Sequence, residues 1–64
     1  MKLSREKIDI YRAQQCFTVA ELAEAYGVSR ARMNNILNQR EVTPVVAGRL
    51  ASALKVNVTE ILED

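Results

Sequence analysis

One local signal occurs five times in this 64-residue chain, and it leaves little room for anything but short helices. A Ser, Thr or Asn follows an apolar residue, and a second apolar residue answers the first five positions later. The instances are Leu3-Ser4 with Ile8, Phe17-Thr18 with Leu22, Val28-Ser29 with Met33, Val42-Thr43 with Ala47, and Val56-Asn57 with Ile61. The polar side chain caps a helix by accepting a backbone N–H from its first turn. The apolar pair clips the incoming chain against that turn. Thr18-Val19-Ala20-Glu21 adds the reciprocal glutamate of a capping box, and Asn57-Val58-Thr59-Glu60 has the same form with Asn. One such match is common by chance. Five at these spacings predict an all-α domain.

The apolar periodicity agrees. Helices are expected over 4–15, 18–26 and 29–38, with a fourth from 43 and a short fifth over 58–62. Ile8 and Tyr11 face the core from the first helix. Val19, Leu22, Ala23 and Tyr26 stand at i, i+3, i+4, i+7 in the second, and Ala47, Leu50, Ala51 and Leu54 repeat that spacing in the fourth. Gly27 suits a left-handed helix stop, and Pro44 sits at a first helical position where its missing N–H costs nothing. No run alternates long enough to predict a strand. The chain is therefore read as one domain over 1–64, compact and five-helical, with helices 2 and 3 forming a helix-turn-helix over about 18–38.

Several function classes drop out. The chain has no histidine and one cysteine, Cys16, so an internal disulfide is excluded and a metal site is not expected. No nucleophile–base pair or glycine-rich phosphate loop is present, so no enzyme and no cofactor are expected. No apolar run approaches a membrane span, the first ten residues lack a secretion signal, and the single thiol fits a reducing cytosol. A core this small gains only a few kcal/mol, which makes tight helix packing or a second subunit the expected supplement.

The net charge of +1 says little, but its distribution says more. Residues 27–50 carry Arg30, Arg32, Arg40 and Arg49 against Glu41 alone, and no carboxylate lies between Glu24 and Glu41. On a helical wheel Met33, Ile36 and Leu37 turn inward from the third helix. The outer side holds Ala31, Asn34, Asn35 and Asn38, with Arg30 and Arg32 flanking and Gln39 at its end. Asparagine is a poor helix former, so three on one exposed face cost stability without helping packing. Asn can offer donor and acceptor together to adenine, Arg can fork onto guanine, and acid-free surface suits phosphate.

With these residues in view, the chain resembles the Cro/CI-type (XRE) helix-turn-helix DNA-binding domains over about residues 3–62. The resemblance rests on Arg12, Thr18, Leu22-Ala23, Gly27-Val28-Ser29, Met33, Ile36, Asn38, Leu50-Ala51, Ala53-Leu54, Val56 and Ile61-Leu62. It implies a lambda-repressor-like fold. Val28-Ser29-Arg30-Ala31 with Ile36-Leu37-Asn38 also resembles the headpiece of lactose-repressor-type regulators. Those begin directly with the helix-turn-helix and continue into a sensor, whereas about seventeen residues precede it here. Residues 34–54 resemble antitoxins of the host-inhibition-of-growth type, which share the Cro/CI fold.

The resemblance implies sequence-specific binding of double-stranded DNA by a small transcriptional regulator, a repressor of bacterial or phage type, cytoplasmic and nucleoid-associated when bound. Helix 3 would read the major groove through Arg30, Ala31 and Asn35, flanked by Arg32 and Asn34. Thr18, Asn38, Gln39 and Arg40 would hold the DNA backbone. Four departures from the family pattern stand out. Val19 replaces a frequent phosphate-binding Gln. Leu37 replaces the Glu that often pairs with Arg12, which would free Arg12 to reach the DNA backbone or solvent. Cys16 and Gln39 replace glycines. A homodimer on a palindromic operator is expected, with Val56, Val58, Ile61 and Leu62 either forming the dimer surface or closing the core. The alternative is an antitoxin that binds a toxin and represses its own promoter. A domain that keeps the fold without binding DNA is a third reading.

Overall fold

Four of the five start signals cap an α-helix through the polar side chain. The fifth, at Asn57, opens a 3-10 turn without a side-chain cap bond, and all five apolar pairs pack in or against the core. The computed structural model describes residues 1–39 and 41–63. Ser4 Oγ accepts from the Lys7 N–H (3.2 Å) and opens α1, Arg5–Gln14. Thr18 Oγ1 accepts from Glu21 N–H (3.1 Å), and Glu21 Oε1 accepts in return from Thr18 N–H (3.0 Å), opening α2, Val19–Tyr26. Ser29 caps Arg32 N–H (3.2 Å) ahead of α3, Arg30–Asn38. Thr43 caps Val46 N–H (3.3 Å) ahead of α4, Pro44–Leu54. The five answering residues Ile8, Leu22, Met33, Ala47 and Ile61 are all 0% exposed. Their partners Leu3 and Val42 are buried, while Phe17, Val28 and Val56 pack on the core from its edge. A local clip that fixes how the chain enters each helix is thus also a tertiary contact.

The expected inner faces hold. Leu22, Ala23 and Tyr26 of α2, Met33, Ile36 and Leu37 of α3, and Ala47, Leu50, Ala51 and Leu54 of α4 are buried, with Val19 and Tyr11 half-buried. No polar side chain is buried among the described residues. No helix among them is long and apolar enough to cross a membrane.

The fifth helix is a correction: four α-helices are followed by a single 3-10 turn, Val58–Ile61. Glu60 N–H closes onto Asn57 C=O three residues back (2.9 Å), and Glu60 Oε2 accepts from Asn57 N–H (2.8 Å). Leu62 then leaves in extended conformation (φ −95°, ψ 151°) to pair with Leu3. That pairing removes the residues an α-turn would need. It belongs to a clasp the periodicity does not show. Lys2 bridges Glu41 and Leu3 bridges Leu62. Val42 N–H donates to Met1 C=O (2.8 Å), Ser4 N–H to Ile61 C=O (2.8 Å) and Glu63 N–H to Lys2 C=O (3.0 Å). The first four residues thereby tie the α3–α4 connection to the end of the chain.

Three helices stop in the same way. Phe17 N–H returns to Arg12 C=O (2.9 Å), Val28 N–H to Ala23 C=O (3.0 Å) and Val56 N–H to Ala51 C=O (3.0 Å). Each closure spans six residues around a left-handed one: Cys16 (φ 56°), Gly27 (φ 98°) and Lys55 (φ 61°). Of the two glycine replacements in the family pattern, Cys16 therefore keeps the left-handed geometry, and Gln39 does not (φ −82°, ψ 124°). Left-handed geometry costs a residue with a Cβ roughly 1–2 kcal/mol, partly offset in glycine by its greater unfolded-state entropy. Cys16→Gly and Lys55→Gly are each expected to stabilise the domain by about 0.5–1 kcal/mol. Thermal melts showing either variant less stable than the parent would refute this account of the two turns.

Candidate nucleic-acid interface

The capped start of α3 and its three buried residues decide which side of the helix is left outside. With Met33, Ile36 and Leu37 turned in, Arg30, Ala31, Arg32, Asn34, Asn35 and Asn38 are all exposed, as is Gln39 just beyond. Among the described residues no carboxylate stands on α3. This face can donate to phosphate and exchange paired hydrogen bonds with base edges.

Clefts divide the remaining predicted residues into groups. A cleft of about 570 Å³ lies where α1 and α2 meet the start of α3. Arg12, Thr18, Val19 and Arg30 line it, with Cys16, Phe17 and Ala20. The capping box occupies the Thr18 N–H, so from Thr18 only the hydroxyl proton remains to donate. The N–H groups of Val19 and Ala20 are the first of α2, where a helix has donors without internal acceptors and a positive dipole end. Val19 itself supplies an apolar wall in place of an amide.

Arg12 corrects the expectation of a freed side chain. Leu37 is buried and leaves it no carboxylate on α3, but Asp9 takes that place from one helical turn earlier. Arg12 Nη2 donates to Asp9 Oδ1 (3.2 Å) and Nη1 to Phe17 C=O (3.1 Å). Its Nε is buried without a hydrogen-bond partner, and the side chain is 22% exposed. Asp9 Oδ1 also accepts from Arg5 Nε (3.2 Å), so two arginines share one carboxylate. Arg12 therefore brings positive charge to the cleft from a fixed position.

A second cleft, of about 180 Å³, lies between α3 and α4. Arg32, Asn35 and Gln39 line it together with Arg49 of α4, and none of its lining residues is acidic. Arg49 enters the charge balance of the sequence and was not among the residues expected at the site. Its place among the four arginines of residues 27–50, set against Glu41 alone, was the available signal. Asn38 stands apart from both clefts. It lines a third, of about 350 Å³, with Leu3, Arg5, Leu37, Gln39 and Glu63, and the acid makes this the least favourable of the three for an anion. Ala31 and Asn34 line none of these clefts. The proposed Arg40 contact lies outside the described residues.

The four residues expected at a dimer surface do not behave alike. Ile61 is 0% exposed and has no side-chain surface to offer a second copy, because it answers Val56 inside the core. Val56, Val58 and Leu62 pack on the core and remain half-buried. The large apolar side chains that are exposed are Met1, Ile10 and Val45, the last 70% exposed. Tyr11 OH donates to Glu60 Oε1 (3.3 Å), and partial desolvation followed by the Glu60 carboxylate pushes the phenol above its ordinary range. Among the described residues no group of three or more His, Cys, Asp or Glu could hold a metal ion.

Compared with known proteins, residues 7–64 match the family model described as Cro/C1-type HTH DNA-binding domain. No curated protein and no solved structure matches.

Proposed function

Because the chain belongs to the Cro/C1-type HTH DNA-binding domain family, we propose that it is a sequence-specific transcriptional regulator, a repressor that lays α3 in the major groove of double-stranded DNA. The observation that carries this reading is the exposed, acid-free face of α3, bounded on two sides by clefts with arginine in their walls. In this reading Arg30, Ala31 and Asn35 touch base edges, with Arg32 and Asn34 beside them. Thr18, Gln39, Asn38 and Arg40 meet the sugar–phosphate backbone. Arg12 adds charge from its fixed place behind Thr18. The role is binding rather than catalysis.

One short recognition helix reads few base pairs, so such a helix gains specificity when two copies pair on two half-sites about 34 Å apart. Val56, Val58 and Leu62 are the residues proposed for that pairing, and Ile61 supports them from the core. Binding to operator DNA places the protein in the cytoplasm, with the chromosome.

Selection of bound duplexes from random-sequence DNA tests the reading. The expected outcome is an enriched site with two-fold symmetry and affinity that falls steeply with salt. Recovery of no preferred sequence would sink the regulator reading. Recovery of a single asymmetric half-site would sink the pairing alone.

A further inference from the structure

Arg49 is held in an unusual way for a surface arginine. Its guanidinium lies 4.6 Å over the Tyr26 ring, and Nη2 donates to the Tyr26 C=O at 3.3 Å. That carbonyl belongs to the last residue of α2, where helix carbonyls lack internal donors and the dipole end is negative. The contact joins α4 to the end of α2 just before the Gly27 turn. It uses one edge of a planar group that carries five N–H donors. Among the described residues no carboxylate pairs with the rest of it.

The cleft beside it carries a second guanidinium, Arg32, and the amides of Asn35 and Gln39. At about 100° per residue, Arg32, Asn35 and Gln39 form one stripe along a flank of α3. Arg30 stands about 200° round the helix from Arg32, on the other flank. The Arg12–Arg30 cleft and the Arg32–Arg49 cleft therefore border opposite sides of the same exposed face. A helix seated in a major groove has a phosphate backbone along each side.

We propose that Arg49 is a phosphate-binding residue: it grips the DNA backbone along the α4 side of the groove, beside Arg32 and opposite the Arg12–Thr18–Arg30 cleft. This rests on the reading of α3 as the groove-facing helix. Stacking on Tyr26 presets the guanidinium, so little side-chain freedom is lost when a phosphate binds. Burial of the cleft by DNA strengthens the interaction, because no acid competes for the charge.

The test compares the full chain with R49Q and R49K on the selected duplex across a range of salt. Loss of one phosphate contact lowers the slope of log K against log salt by about 0.9. R49Q is expected to show that drop with the preferred sequence unchanged, and R49K, which keeps the charge, is expected to keep the parent slope. In the unaltered protein the Arg49 Nε–H resonance is expected to shift on adding duplex, a readout that needs no variant. An unmoved resonance overturns the proposal, as does an R49Q slope equal to the parent's, including a uniform loss of affinity at every salt concentration. Failure of the parent protein to bind any duplex at low salt overturns both this inference and the reading beneath it. Parent binding with an unaltered R49Q slope overturns the inference alone.

Discussion

Met33→Ala is expected to leave the domain largely unfolded near physiological temperature. Met33 is 0% exposed and sits in the first turns of α3, where it answers Val28 across the Ser29 cap. Truncating a buried methionine to alanine removes its transfer free energy and leaves a cavity, for a loss of about 2–5 kcal/mol. A chain of 64 residues has few such side chains, and its total stability is of similar size. The loss cannot be spread over a larger core. It also releases the clip that sets the angle of α3, so DNA binding is expected to go with the fold. Thermal unfolding followed by circular dichroism checks this. At roughly 4–8 °C per kcal/mol for a domain of this size, the midpoint falls by about 8 °C or more. A midpoint within a few degrees of the parent would show that α3 is not held by this side chain.

Asn35→Ala is expected to act in the opposite way, sparing the fold and loosening recognition. Asn35 is exposed on α3, and its neighbours in the second cleft are Arg32, Gln39 and Arg49. Alanine is the better helix former by about 0.5 kcal/mol, so thermal stability stays level or rises slightly. If the Asn35 amide exchanges two hydrogen bonds with an adenine edge, its removal costs about 1–3 kcal/mol of discrimination at one position of each half-site. Selection from random DNA with the variant then returns the parent site with that position relaxed. A selected site identical to the parent's would remove Asn35 from the reading set. Met33 and Asn35 lie two residues apart on one helix, and the opposite signs expected for stability follow from which way each side chain points.

The legible part of the site was the outer face of α3. Its composition could be read because its three buried neighbours obey a single period. The walls of the clefts were less legible. Arg12 seemed free because the partner usual in relatives is Leu37, yet Asp9, three residues before it on the same helix, takes the role. Arg49 looked like one more charge on α4, and its place over Tyr26 spans 23 residues of sequence. Ile61 was grouped with Val56, Val58 and Leu62 as either a dimer surface or a closing face of the core, and it is the one of the four that lies wholly inside.

The sequence by itself determined where each helix begins and which side faces inward. Caps and staples act across three to five residues, a range over which the chain has few alternative partners. It determined the Gly27 turn for the same reason. Only the tertiary structure decided how the other segments end and join. Pairing of Leu3 with Leu62 stops the last segment as a 3-10 turn. Closure of Phe17 onto Arg12 holds Cys16 in a conformation its side chain disfavours. Packing of α4 carries Arg49 to the end of α2. These outcomes depend on contacts between residues far apart in sequence, or on backbone strain that the rest of the core outweighs. Neither leaves a periodic mark on the chain.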